Sequence, residues 1–111
     1  MITDLTYLKN MTDGNPELIQ EMINIFTGQV DKYIGEMNTM YEGKNWTGLS
    51  HLAHKAKSSV AIMGMNSLAD MLKEFEINAK DHKLIYKYPE YIHRFTEDCN
   101  TACEELNNLT F

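Results

Sequence analysis

Apolar residues recur every three to four positions along almost the whole chain, which is the spacing of one face of an α-helix. Few residues interrupt this pattern, because the sequence has only 2 prolines, Pro16 and Pro89, and both are placed where a helix can begin. No segment alternates apolar and polar residues over the length of a β-strand. The chain is therefore predicted to fold into helices alone.

Turn signals divide this helical pattern into one short segment and four long ones. Asn15 and Asn45 precede the second and third segments, and asparagine is a preferred N-cap residue. Gly64 is expected to end the third helix in the left-handed conformation, after which Asn66 or Ser67 caps the fourth. The predicted helices span residues 4–11, 16–42, 46–63, 66–80 and 89–109, and residues 84–88 are not assigned.

Long amphipathic helices joined by short loops are typical of helical bundles. We predict an all-α fold, an antiparallel up-down four-helix bundle with a short extra N-terminal helix that directs Leu5 and Leu8 inward. The 111 residues are enough for one hydrophobic core and too few for two, so residues 1–111 are predicted to form a single domain.

Charge, hydropathy and cysteine content exclude several classes of function. The net charge of −6 argues against a general nucleic-acid-binding surface, which needs clustered lysine and arginine. No apolar run approaches the roughly 20 residues that span a bilayer, and the N-terminus does not resemble a signal peptide, so we expect a cytoplasmic protein without membrane contact. Cys99 and Cys103 lie one helical turn apart, where disulfide geometry is poor, and are predicted to be free thiols.

The third helix carries the residue with the most evident chemistry, His54. The apolar stripe of this helix consists of Leu49, Ala53, Ala56, Val60 and Met63. His54 lies on the opposite side and is predicted to be exposed, with Ser50, Lys57, Ser58 and Ala61 around it. An exposed neutral imidazole is a good nucleophile near neutral pH, and a neighbouring cation can stabilise an incoming anion.

This stretch resembles the signature of histidine-containing phosphotransfer (HPt) domains, His-x-x-Lys-Gly-Ser/Ala followed by a glycine at a helix end. The resemblance is carried by His54-x-x-Lys57-Ser58-Ser59 and Gly64, together with Leu52-Ala53, Leu68 to Glu76, Asp4-Leu-x-x-Leu8 and Asp13-x-x-Pro-Glu-Leu18. It covers nearly the whole chain and implies the same four-helix bundle. The departure from the family pattern is Ser58, which stands where relatives usually have glycine.

The resemblance implies a phosphoryl relay through His54. Such domains accept a phosphoryl group from the aspartyl phosphate of one receiver domain and pass it to the aspartate of another. The implied partners are receiver domains of a hybrid sensor histidine kinase, of a response regulator, or of both, and the implied oligomeric state is a monomer. The chain would be a phosphocarrier without kinase activity and without a cofactor of its own, since Mg²⁺ is expected only in the receiver.

The resemblance also suggests roles for the residues around His54. Lys57 would stabilise the phosphoryl oxygens, and Ser58 would either bond to the phosphoryl group or slightly crowd it. Gln29 would orient the imidazole ring, although an ordinary exposed glutamine is the alternative. Phe26, Val30 and Ala61 could form an apolar docking rim, with His51 at its edge, although some of the three must also serve the core. Independently of the resemblance, Lys55 and Lys57 make a small basic patch.

Two other functions remain open from the sequence. A bundle of the same fold could dock a receiver or a kinase without becoming phosphorylated. His51 and His54, three residues apart, could also ligate a metal, but a bundle metal site needs further carboxylates or histidines from facing helices. His82 falls in a loop and His93 early in the last helix, so we predict no metal site. The acidic cluster of Glu97, Asp98, Glu104 and Glu105 is predicted to be a solvated face.

Overall fold

The computed structural model describes residues 1–109, which form five α-helices and one short 3₁₀ helix. The α-helices are α1 (Thr6–Met11), α2 (Pro16–Glu42), α3 (Trp46–Ile62), α4 (Asn66–Lys80) and α5 (Tyr88–Asn107), and the 3₁₀ helix is Ile85–Lys87. Within residues 1–109 there is no strand. The long helices pack in the cyclic order α2, α3, α4, α5, in a body of 42 × 20 × 20 Å. The prediction of an all-α four-helix bundle with an extra N-terminal helix is confirmed.

The helix starts at Asn15 and Asn45 follow from side-chain capping. Asn15 Oδ1 accepts hydrogen bonds from the backbone N–H groups of Glu17 at 3.0 Å and Leu18 at 3.3 Å. Asn45 Oδ1 accepts from Gly48 N at 2.9 Å. Each cap satisfies N–H groups that have no partner within their helix.

The predicted cap of α4 was wrong. The N-cap residue is Met65, which makes no side-chain capping bond, and Asn66 is already the first helical residue. The physical reason is the tight end of α3: Gly64 adopts a φ of 74° and Met65 N donates to Val60 O at 3.0 Å. The N-cap position is therefore taken by Met65, an apolar side chain that is buried in the core.

The core is built from the inward faces of the four long helices. Leu49, Ala53, Ala56 and Val60 of α3 are all buried, as the stripe predicted, and Leu52 joins them. The small side chains of Ala53 and Ala56 allow α3 to pack closely on its neighbours. Phe75 of α4 and Phe95 of α5 are among the largest fully buried side chains. This packing fixes the rotation of α3 and hence the direction in which its outer face points.

The N-terminal segment is held by Glu105, which is not part of a solvated face as predicted. The Glu105 carboxylate accepts hydrogen bonds from Ile2 N at 2.8 Å, Thr3 N at 3.0 Å and Thr3 Oγ1 at 2.8 Å. Partial burial tends to raise the pKa of Glu105, but these hydrogen bonds outweigh it and lower the pKa below its usual value. The correction arises because α5 passes beside the first residues of the chain, which lie outside any helix and whose N–H groups need an acceptor.

We expect Glu105→Gln to lower the free energy of unfolding by about 1 kcal/mol at pH 7, because the amide offers one acceptor oxygen instead of two and no charge. The folded-state pKa of Glu105 is lowered, so its contribution is present above the usual value of 4.5 and is lost as the pH falls through the folded-state value. Urea unfolding at pH 7 and pH 3 measures this difference. Glu104→Gln, on the exposed side of the same turn, is the control, and an equal effect of both variants would contradict the role of Glu105.

Both cysteines are free thiols, as predicted. Cys99 is buried and Cys103 is half-buried. Burial raises the pKa of the Cys99 thiol to about 12, so this thiol stays protonated at neutral pH and belongs to the core. None of the helices within residues 1–109 combines the length and the apolar character that a bilayer crossing requires.

Candidate functional site

His54 stands on the outer face of α3 with 64% of its side chain exposed. The ring is therefore accessible to a macromolecular partner, as the position opposite the apolar stripe predicts. His54 Nδ1 lies 3.1 Å from both carboxylate oxygens of Glu76, which projects from the neighbouring helix α4. This contact defines the chemical state of the imidazole.

A carboxylate only accepts hydrogen bonds, so the ring nitrogen beside Glu76 carries the proton. In the neutral imidazole the lone pair is then on Nε2, the nitrogen directed away from Glu76. Glu76 thus selects one tautomer of His54 and limits rotation of its ring, as carboxylates do for histidines at many reactive sites. The arrangement presents a nucleophilic nitrogen to solvent.

Glu76 is the site residue that the sequence did not reveal. It lies 22 positions from His54 and is one of several carboxylates in its region of the chain. Partial burial tends to raise the pKa of Glu76, but hydrogen bonds from Lys57 and His54 outweigh that effect and lower the pKa below its usual value. Glu76 is therefore ionised at neutral pH, as its role as a hydrogen-bond acceptor requires.

Lys57 is tied to the same carboxylate. Its Nζ donates to Glu76 Oε1 at 3.1 Å, and only 28% of its side chain is exposed. The sequence places Lys57 one turn from His54 on the open side of α3, whereas the structure shows it half-buried between α3 and α4. The ion pair holds the ammonium group near the imidazole, so His54, Lys57 and Glu76 form one connected set, which we call the Glu76 triad.

Ser50 lies beside His54, as predicted, although its side chain is buried. Ser50 is 5% exposed, and its hydroxyl donates to the backbone oxygen of Glu76 at 2.8 Å. The reason is its place one turn before His54 on the side of α3 that contacts α4. Ser50 thus fastens α3 to α4 at the residue that orients the ring.

Gln29 of α2 makes its hydrogen bond to Ser59 rather than to His54. Ser59 Oγ donates to Gln29 Oε1 at 3.3 Å and also lies 3.4 Å from the hydroxyl oxygen of Tyr33. Gln29 is half-buried, so it is not the freely exposed glutamine of the alternative either. These bonds attach α2 to the side of α3 that faces away from Glu76.

Phe26 is a core residue and not part of an exposed docking rim. Only 3% of its surface is exposed, and Val30 is equally buried. Both point between the helices because they share the inward face of α2 with Ile23 and Met37. Ala61 remains half-buried and, with the exposed Ser58, lines a groove of about 770 Å³ beside α1.

His51 and Lys55 are exposed and lie in a second cleft that reaches His54. This cleft of about 460 Å³ lies between α3 and α4 and is lined by Thr47, Ser50, His51, His54, Lys55, Glu76 and Lys80. We call it the His51–Lys80 cleft. Within residues 1–109, no three histidine, cysteine, aspartate or glutamate side chains are grouped closely enough to hold a metal ion.

Gly64 ends α3 at a point of close contact with the N-terminal segment. Its left-handed conformation, with a φ of 74°, is the one predicted. Asp4 N donates to Met63 O at 3.0 Å, so the backbone of residue 4 lies directly against this turn. The contact leaves no space for a side chain at position 64.

Fold and site together define a class of protein: a four-helix bundle that presents one oriented imidazole, backed by a carboxylate and a lysine, on the outside of a central helix. Comparison with protein-family models gives a match of residues 21–109 to the Hpt domain. The chain belongs to the Hpt domain family, whose members are histidine phosphotransfer modules.

A solved structure supports the fold over almost the entire chain. The histidine-containing phosphotransfer protein B (HptB) of Pseudomonas aeruginosa PAO1 is similar with a TM-score of 0.86 at 17% sequence identity. The similarity covers 95% of this chain and 90% of that one. No curated protein matches the sequence significantly.

Proposed function

We propose that His54 accepts a phosphoryl group from the phosphorylated aspartate of one receiver domain and transfers it to the aspartate of another. The observation that carries the proposal is the pair of 3.1 Å contacts between His54 Nδ1 and Glu76, which leave Nε2 as the exposed nucleophile. Membership of the Hpt family supports histidine phosphotransfer in general. The choice of His54 rests on its exposure and its partners.

The chemical step needs only one bond to form and one to break. The Nε2 lone pair attacks phosphorus, the N–P bond forms, and the P–O bond to the aspartyl carbonyl group breaks. The aspartate leaves as a carboxylate with the electron pair of that bond. Because the N–P and acyl-phosphate bonds both have high transfer potential, the step is reversible and the chain works as a carrier.

Glu76 acts on the ring as the N–P bond forms. After attack the imidazole carries the phosphoryl group on Nε2 and a proton on Nδ1, and it is therefore cationic. The ionised Glu76 at 3.1 Å stabilises this charge or accepts the proton. A carboxylate that is already held in place does either without the reorientation that solvent water molecules would need.

Lys57 acts on the phosphoryl oxygens. Its ammonium group is held beside the imidazole by Glu76 and offsets negative charge on the transferred group as a point charge. Phosphoryl transfer depends mainly on positioning and electrostatics, so such a cation contributes directly to the rate. In this proposal Mg²⁺ is supplied by the receiver domain, and the chain works as a cytoplasmic monomer without kinase activity.

The direct test is incubation of the chain with a purified receiver domain that has been phosphorylated by acetyl phosphate and Mg²⁺. We expect phosphate to move onto the chain and to be acid-labile and alkali-stable, as a phosphoramidate is. Stable binding of the receiver with no transfer would instead indicate a docking module of the same fold.

Lys57→Ala is expected to slow transfer from a saturating receiver roughly tenfold, or to shorten the lifetime of the phosphohistidine by a similar factor, since it removes one charge-assisted contact. Single-turnover transfer and the decay of labelled protein measure the two effects. Lys55→Ala is the matched control, because Lys55 is exposed and lies outside the Glu76 triad. An unchanged rate and lifetime in Lys57→Ala would remove the assigned role.

Glu76→Gln is expected to lower the transfer rate about tenfold to a hundredfold, because the amide is neutral and stabilises the cationic ring less. The ¹⁵N chemical shifts of His54 should show a mixture of tautomers in the variant and mainly the Nδ1–H form in the wild type. Asp70→Asn, an exposed change on the same helix, provides the control. If the tautomer and the rate both stay as in the wild type, Glu76 does not orient the ring.

A further inference from the structure

Charge is distributed unevenly around the bundle. Helix α3 contains no aspartate or glutamate, although it carries two lysines and two histidines. Helix α2 has five carboxylates and one lysine, and α5 has five carboxylates and one arginine. Because the helices pack in the order α2, α3, α4, α5, the acidic helix α5 lies diagonally opposite α3. Helix α4 has two lysines and three carboxylates, so the locally cationic side of this chain of net charge −6 is at α3.

The His51–Lys80 cleft is the centre of that cationic side. Lys55 from α3 and Lys80 from α4 are exposed on its wall, and within residues 1–109 neither has a salt-bridge partner. The one carboxylate of the cleft is Glu76, whose charge is engaged by His54 and Lys57. The two lysines therefore project uncompensated positive charge beside the reactive ring.

We propose that Lys55 and Lys80 are specificity-determining residues that steer the acidic face of a receiver domain onto His54. The inference rests on the proposed function, in which the receiver domain carries its phosphoaspartate beside Mg²⁺, an ion that proteins bind through carboxylates. Charge complementarity favours this occupant, since opposite potentials raise the rate of encounter and select its orientation. The carboxylates of α2 and α5 repel the same partner from the other sides.

The size and charge of the His51–Lys80 cleft favour an acidic protein over a nucleic acid as the partner. A nucleic acid presents a continuous line of phosphates and needs many lysine or arginine contacts for useful affinity. The cleft offers two lysines in a chain that is acidic overall. Two lysines can bind a compact acidic surface that contacts the chain at this one place. The cleft is also next to the site of chemistry, so a partner bound there has its acidic centre within reach of Nε2.

The test measures how fast a purified acidic receiver domain associates with the full chain, by stopped flow, from about 0.02 to 0.5 M salt. At about 0.1 M salt the screening length is about 10 Å, so only charges near the contact act strongly. Lys55→Glu and Lys80→Glu are each expected to lower the association rate about fivefold to tenfold there, and to flatten its salt dependence. Lys32→Glu, the same charge change on α2 away from the cleft, should have less than a twofold effect.

The phosphoryl transfer rate at saturating receiver is measured on the same variants and should be unchanged, because within residues 1–109 neither lysine makes a hydrogen bond or an ion pair to the Glu76 triad. Equal association rates for the cleft variants and Lys32→Glu, or a wild-type rate that does not depend on salt, would overturn the steering role. Steered association without any phosphate on His54 would instead refute the proposed function and leave the steering role standing. A loss confined to the saturating rate would also overturn the inference, since it would place the lysines in the chemical step.

Discussion

We expect His54→Gln to abolish the transfer of phosphate to the chain and to leave the folded structure intact. The substitution removes the imidazole nitrogen that we propose as the nucleophile, and a glutamine amide does not form a phosphoramidate. Lys57 still donates to Glu76, so the carboxylate keeps a partner on α3. Since 64% of the His54 side chain is exposed, we expect the free energy of unfolding to change by less than about 1 kcal/mol.

The measurement is acid-labile label from a phosphorylated receiver, with circular dichroism and urea unfolding to verify the fold. His51→Gln is the matched control, because His51 is exposed on the same helix and lines the same cleft. Within residues 1–109, however, His51 makes no hydrogen bond to Glu76. We expect this variant to accept phosphate at close to the wild-type rate. Label that persists in His54→Gln and disappears in His51→Gln would transfer the role to His51.

The helices could be predicted from the sequence because their signals are local. Periodic apolar residues, Asn15 before Pro16 and Gly64 after α3 each act within one or two turns, and the bounds of α2 were predicted to the residue. Apart from the cap of α4, the errors occurred where the decisive contact was distant. Glu105 was assigned to a solvated face because its partners, Ile2 and Thr3, are more than a hundred positions away along the chain.

The site could be predicted only in part, for the same reason. His54 and Lys57 share one helix, so their spacing places them together. Glu76 joins them only because α3 and α4 pack at a particular rotation, which depends on the small buried side chains of α3 and on the bond from Ser50 to the Glu76 backbone. Helical spacing predicts on which face of its own helix a residue lies. It does not predict which residue of the neighbouring helix that residue contacts.

Phe26 shows a second limit of the helical pattern. An apolar residue at helical spacing is equally suited to a core and to a docking rim, since both need an apolar face. The outcome was decided by the packing of α2 against α3 and α5, which leaves 3% of Phe26 exposed. A rim assignment therefore needs knowledge of which faces the neighbouring helices cover.

Gly64→Ala is expected to destabilise the fold by about 3 kcal/mol, which would lower the melting temperature by roughly 10–20 °C in a domain of this size. Two costs combine at this position. An alanine pays about 1 kcal/mol for the left-handed backbone, and its Cβ collides with the backbone oxygen of Asp4. The same Cβ would lie 2.7 Å from Asp4 Cβ and 2.8 Å from the Asp4 carbonyl carbon. The N-terminal segment must then move away from the end of α3.

Gly14→Ala separates these two costs. Gly14 has almost the same backbone conformation, with a φ of 72°, but a Cβ there meets nothing within 4 Å in the described part of the chain. We expect Gly14→Ala to cost only the backbone penalty of about 1 kcal/mol. Urea unfolding of both variants at pH 7 gives the difference, which measures the contact between Asp4 and the turn after α3. Equal losses of stability would show that the N-terminal segment shifts freely and does not brace the end of the helix that carries His54.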